Sequence, residues 1–71
     1  MTAAHYRHDA LVLLSREESR SGADPAFRDA IVARLTELAT MGPEDVTPAG
    51  DAILQDIRLW IEPRMLARMG M

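Results

Sequence analysis

Residues 24–43 read DPAFRDAIVARLTELATMGP. Phe27, Ile31, Leu35 and Leu38 stand at i, i+4, i+8 and i+11, so one face of a helix collects most of the large apolar side chains of the stretch. Arg28, Asp29, Arg34 and Glu37 fall mainly off that stripe. Asp24-Pro25 supplies an N-cap followed by proline at the first helical position, where the missing amide costs nothing. Gly42-Pro43 supplies the stop. The segment therefore predicts an amphipathic helix from Pro25 to about Thr40. A helix with one oily face must bury it against something.

Upstream, Thr2 caps a predicted first helix running to about Arg20. Tyr6, Ala10, Leu13 and Leu14 form its apolar face, with Ala3 and Leu11 beside them. From Ser15 onward the segment SREESRSG is polar, which predicts a solvated or frayed helix end before Gly22 breaks the chain. Downstream, PEDVT at 43–47 reads as an acidic connector, and Thr47-Pro48 as a second cap-plus-proline start. The third helix then carries Ile53, Ile57, Trp60 and Ile61 on one side. Pro63 lacks an amide hydrogen and crowds the carbonyl of Leu59. The expectation is a helix that ends or kinks near Ile61, followed by a short fourth helix from Pro63 to about Met69. No run alternates with period two. The fold class is all-α: one domain over residues 1–71, a three-helix bundle with a short fourth helix after a proline.

Composition narrows the function. A chain of 71 residues without cysteine has neither disulfides nor thiolate metal ligands to hold a small core. A protein partner is the remaining support. All eight basic residues are arginine, and the net charge of −3 argues against a nucleic-acid binder. The longest apolar run, ALVLL at 10–14, is far short of the ~20 residues of a membrane span. The amino-terminus lacks the pattern of a secretory leader. A cytoplasmic protein with no membrane partner is expected.

Candidate chemistry is sparse. His5, His8 and Asp9 share a helical face, but zinc needs further ligands that no Cys or third His supplies. Ser15, Ser19 and Ser21 lack a base on a separate element and a strained nucleophile turn. Glu17-Glu18 and Glu44-Asp45 are adjacent acids that diverge on a helix, and read as solvated faces. The glycines at 22, 42, 50 and 70 make no phosphate loop; Gly50 in particular has only close packing to explain it. No catalytic, cofactor-binding or metal-binding residue is assigned.

The sequence is most unusual at DIRLWIEPRMLARM, residues 56–69. Trp, Met and Arg are enriched at protein interfaces and at their energetic centres. Met65, Leu66, Met69 and Met71 exceed what so small a core can enclose. Residues 63–71 are therefore expected to dock a partner, through a surface of Ile57, Arg58, Trp60, Pro63, Arg64, Met65, Leu66 and Arg68. Trp60 and Arg64 are its expected energetic centres, and Arg64→Ala is expected to spare the monomer's fold.

The stretch 56–65 also resembles the closing signature of the delta subunit of NAD-dependent, molybdenum-containing formate dehydrogenases. Ile57, Arg58, Trp60, Glu62, Pro63, Arg64 and Met65 carry the resemblance; overall length is similar. Ile61 stands where that family usually has tryptophan, and Leu13-Leu14-Ser15-Arg16 replaces a Met-Ala-Asn-Gln-like run. The resemblance implies a non-catalytic accessory subunit that stabilises or helps assemble larger enzyme subunits. Those subunits, not this chain, would carry the molybdenum cofactor, iron–sulfur clusters and FMN. The competing expectation is a small acidic regulator, inhibitor- or antitoxin-like, whose Glu17-Glu18 and Glu44-Asp45 bind a basic surface.

Overall fold

The computed structural model describes residues 1–70. Three helices follow one another: α1 (Ala3–Ser21), α2 (Pro25–Leu38) and α3 (Pro43–Arg68). The all-α bundle expected from the periodicity is what forms. Thr2 caps α1 by accepting a hydrogen bond from the amide of His5, and Asp24 caps α2 by accepting one from Phe27. Gly22 closes α1 at φ 92°, a backbone region that glycine enters without steric cost. α2 stops at Leu38, two residues early, as the amides of Thr40 and Met41 fold back onto the carbonyls of Glu37 and Leu38.

α3 departs from expectation at both ends. It begins at Pro43, so residues 43–47 are its first turn and not a connector. The Gly42-Pro43 pair, expected to stop α2, lies past its end and starts α3 instead, with proline at the first position and Glu44 and Asp45 placed favourably at the positive end of the helix dipole. Val46 turns inward from this turn and is buried.

At the other end α3 passes through Pro63 to Arg68, so there is no separate fourth helix. Two circumstances make this possible. Pro63 itself lies on the exposed side, and the carbonyl it strips of a partner belongs to Leu59, also on the exposed side, where water can replace the lost bond. Beyond Pro63, Arg64 and Arg68 tie the last turns to α1.

The packing direction follows from contacts between helices. Tyr6 meets Thr47 and Asp51, and Glu17 meets Arg64 and Arg68, so α1 and α3 run parallel. Arg34 pairs with Asp56, and Phe27 stacks on Trp60, so α2 runs antiparallel to both. The molecule measures 43 × 18 × 16 Å. A helix of 26 residues spans roughly 39 Å at about 1.5 Å per residue, so α3 sets the long dimension.

Tyr6, Ala10, Leu14, Ile31, Leu35, Leu38, Val46, Ile53, Leu54 and Ile57 form the core. Each fully buried Leu or Ile contributes about 1.5–3 kcal/mol. Phe27, Trp60 and Ile61 pack against its far end.

Candidate partner-binding surface

The carboxyl-terminal half of α3 has two sides with opposite fates. The inner side faces the turn between α1 and α2. Trp60 stacks on Phe27 with ring centroids 4.5 Å apart and planes 14° from parallel. The Arg64 guanidinium covers Trp60 at 4.3 Å from the ring centre, in cation–π geometry. Trp60 Nε1 donates to Asp24 Oδ2 at 3.3 Å, while the other oxygen of the same carboxylate caps α2. Arg64 also donates to the carbonyl of Gly22. Thus Asp24 at the edge of the Trp60 ring, with Phe27 and Arg64 against its faces, pins α3 to the start of α2.

Below this stack sits the feature the sequence concealed. Glu17 is only 2% exposed. Arg64 Nε donates to its Oε2 at 3.2 Å, and Arg68 Nη1 donates to both of its oxygens and to the hydroxyl of Ser21. Burial pushes the Glu17 carboxyl up; the hydrogen bonds from Arg68, Ser21 and Arg64, together with the Arg68 charge, outweigh it and leave the pKa below the ordinary 4.5. Two cations on one buried carboxylate leave no buried polar side-chain atom without a partner among the described residues.

This corrects two expectations. The end of α1 is not frayed, and only its outer side is solvated: Ser15, Arg16, Ser19, Arg20 and Ser21 are exposed, while Glu17 is buried and Glu18 pairs with Arg28 at 2.6 Å. The acidic-regulator reading thereby loses Glu17 from its surface. Arg64→Ala is also not a neutral change to the monomer, because Arg64 touches Trp60, Gly22 and Glu17. The signal was present in the spacing. Tyr6, Ala10, Leu14 and Glu17 repeat the i, i+4, i+8, i+11 pattern of Phe27, Ile31, Leu35 and Leu38. Ile53, Ile57, Ile61, Arg64 and Arg68 continue the stripe of α3. Opposite charges in the last positions of two facing stripes are what a buried ion pair looks like in sequence.

The outer side is different. Leu59, Met65, Leu66 and Met69 are 56%, 40%, 42% and 64% exposed. Leu59 and Leu66 are seven residues apart, two helical turns, and point the same way, with Glu62 and Met69 beside them. Arg58 and Pro63 are exposed at the margins of this face. Arg58 also lines a shallow cleft of about 260 Å³ between α1 and α3, together with His8, Asp9, Val12, Leu13 and Leu54.

The eight residues expected to meet a partner therefore divide. Ile57 is fully buried in the core. Trp60, Arg64 and Arg68 spend their functional groups inside the molecule. Arg58, Pro63, Met65 and Leu66 face outward, and sequence reasoning missed Leu59, which belongs with them. Met71 lies outside the described residues. His5 bonds Thr2 at the amino-terminal cap, and Ser15, Ser19 and Ser21 are exposed. Among the described residues no group of three or more His, Asp or Glu is placed to hold a metal ion, and no helix is long and apolar enough to cross a membrane.

No family model matches the chain, no curated protein is similar to it, and no solved structure matches it.

Proposed function

We propose that the chain is a non-catalytic accessory subunit that docks on a larger cytoplasmic protein through the outer face of α3. The observation that carries this is the row of half-exposed Leu59, Met65, Leu66 and Met69 on one side of a single helix, away from its own core. Scattered apolar residues on a surface are ordinary; a cluster on one helix face marks a binding surface. The contacts of Phe27 and Arg64 with Trp60 order that face when the end of α3 is packed against α1, which lowers the ordering cost of binding.

The resemblance of residues 56–65 to the formate dehydrogenase delta subunit names the partner: the large subunits of an NAD-dependent, molybdenum-containing formate dehydrogenase. In that setting the chain performs no chemistry. It stabilises the assembled enzyme or assists its assembly, and the molybdenum cofactor, iron–sulfur clusters and FMN reside in the other subunits.

Co-expression with the catalytic subunit of such an enzyme tests the reading. The wild-type chain is expected to co-purify at fixed stoichiometry, and Leu59→Glu with Leu66→Glu to abolish the complex while leaving the helical circular dichroism intact. Retention of the complex by the double variant would overturn the docking face. Failure of the wild type to associate would overturn the formate dehydrogenase assignment.

A further inference from the structure

We propose that residues 64–70 form a detachable latch, hinged at Pro63 and held shut by arginine contacts centred on one buried carboxylate, Glu17. This is a property of the isolated chain and does not depend on the accessory-subunit reading. From Glu62 to Gly70 no residue is buried, and only the side chains of Arg64 and Arg68, 22% and 25% exposed, are largely covered. No apolar side chain of this segment enters the core. What attaches it are its two arginines: Arg64 to Glu17, the Gly22 carbonyl and the face of Trp60, and Arg68 to Glu17 and Ser21.

Two further observations point the same way. A cleft of about 340 Å³ remains between Ser21 at the end of α1 and Arg64, Ala67 and Arg68 of the segment, so the last turns rest on arginine side chains across a gap. Pro63 removes the helical hydrogen bond to the Leu59 carbonyl just where the segment leaves the core, and proline is among the few places where helices bend sharply. Opening there uncovers Glu17, the Gly22 carbonyl and one face of Trp60, and carries Met65, Leu66 and Met69 with it. Everything before Ile61 keeps its apolar packing.

The absence of cysteine makes the test clean. Spin labels at Arg20→Cys and Met69→Cys report the gap between the end of α1 and the latch by electron double resonance. With Glu17 present, a single short distance is expected. Adding Glu17→Gln, which keeps the shape and removes the charge, is expected to shift at least half of the population to longer distances while the helical circular dichroism of the bundle persists. Adding Pro63→Ala to that variant restores the missing helical bond and is expected to recover part of the short-distance population. An unchanged distance in Glu17→Gln overturns the proposal. So does loss of helical signal throughout, since the segment would then be inseparable from the bundle.

Discussion

The ring of Tyr6 on α1 lies directly on Gly50 of α3. A Cβ built at residue 50 would stand 2.5 Å from Cγ of that ring, closer than any real contact. The ring is itself fixed, because Tyr6 is buried and its hydroxyl donates to Asp51 Oδ1 at 2.8 Å and reaches the Thr47 carbonyl at 3.4 Å. Glycine at this point lets α1 and α3 approach closely enough for the tyrosine to fit between them.

Gly50→Ala sets two effects against each other. Alanine favours the helix by up to about 1 kcal/mol. The added methyl collides with the near end of a locked side chain, and overpacking of this kind costs about 1–3 kcal/mol. The clash wins. Thermal unfolding is expected to fall by roughly 5–15 °C, given about 4–8 °C per kcal/mol for a domain of this size. An unchanged or higher Tm would show that α1 and α3 do not meet here as described.

Tyr6 also governs alkaline stability. Its hydrogen bond to Asp51, then burial, then the Asp51 charge raise its pKa above 10.0, against a smaller lowering by Thr47. A raised folded pKa means that the stabilising effect is fully present below 10 and is lost as pH rises through the elevated value. With one tyrosine and no lysine or cysteine in the chain, no other side chain titrates in that window. The ultraviolet phenolate signal of the folded protein is expected to appear above pH 10 and to coincide with falling stability. Tyr6→Phe should cost about 0.5–1.5 kcal/mol at neutral pH and flatten the alkaline fall. A Tyr6→Phe curve parallel to the wild type above pH 10 would contradict the assignment.

Glu17 predicts the acid limb. Its folded pKa is depressed, so its contribution is fully present above about 4.5 and is lost as pH falls through the folded value. The urea midpoint of the wild type should drop more steeply below pH 4.5 than that of Glu17→Gln, with the difference between the two curves isolating this group from the other ten carboxylates of the eleven in the chain. At pH 7, Glu17→Gln should cost about 1.5–3 kcal/mol, the range for hydrogen bonds to a charged group. Replacing both Arg64 and Arg68 by alanine is worse, about 3–5 kcal/mol, because it strands a buried carboxylate. The two arginines, with side chains 22% and 25% exposed, can instead turn to water when Glu17 is lost. Equal losses for the two changes would remove that asymmetry.

These residues also show how far sequence reached. α1 and α2 were legible because their stripes are apolar and their ends carry caps, and Ile53 and Ile57 placed α3. The spacing puts Glu17 on the buried stripe, but a lone acid there reads as solvent-facing until its cations are located, and they lie far away in sequence at Arg64 and Arg68. The fourth helix was a local reading of Pro63 that tertiary contacts override. Gly50 has no local reason in its own helix, since its reason is a ring on another one. The docking surface was legible in composition, but which residues face outward depended on a helical register that continues through Pro63. That register turns Trp60 and Arg64 inward and leaves Leu59 out.

Pro63 supplies the last prediction. Proline within a helix costs about 3 kcal/mol relative to alanine, part of it through the unbonded Leu59 carbonyl. Here water reaches that carbonyl, and proline also restricts the unfolded chain, an effect of about 0.4–1 kcal/mol in its favour. The balance still favours alanine, so Pro63→Ala is expected to stabilise the isolated protein by about 1–2 kcal/mol and to raise Tm by roughly 4–16 °C. The side chain is exposed and touches nothing in the core, so no packing is lost with it. If Tm instead falls, the backbone geometry that Pro63 imposes is what directs Arg64 and Arg68 onto Glu17, and the alanine helix misplaces them. Measuring Pro63→Ala in the Glu17→Gln background separates the two: a gain there with a loss in the wild type would assign the proline to aiming the arginines, and a gain in both would assign it a helix cost that the folded protein tolerates.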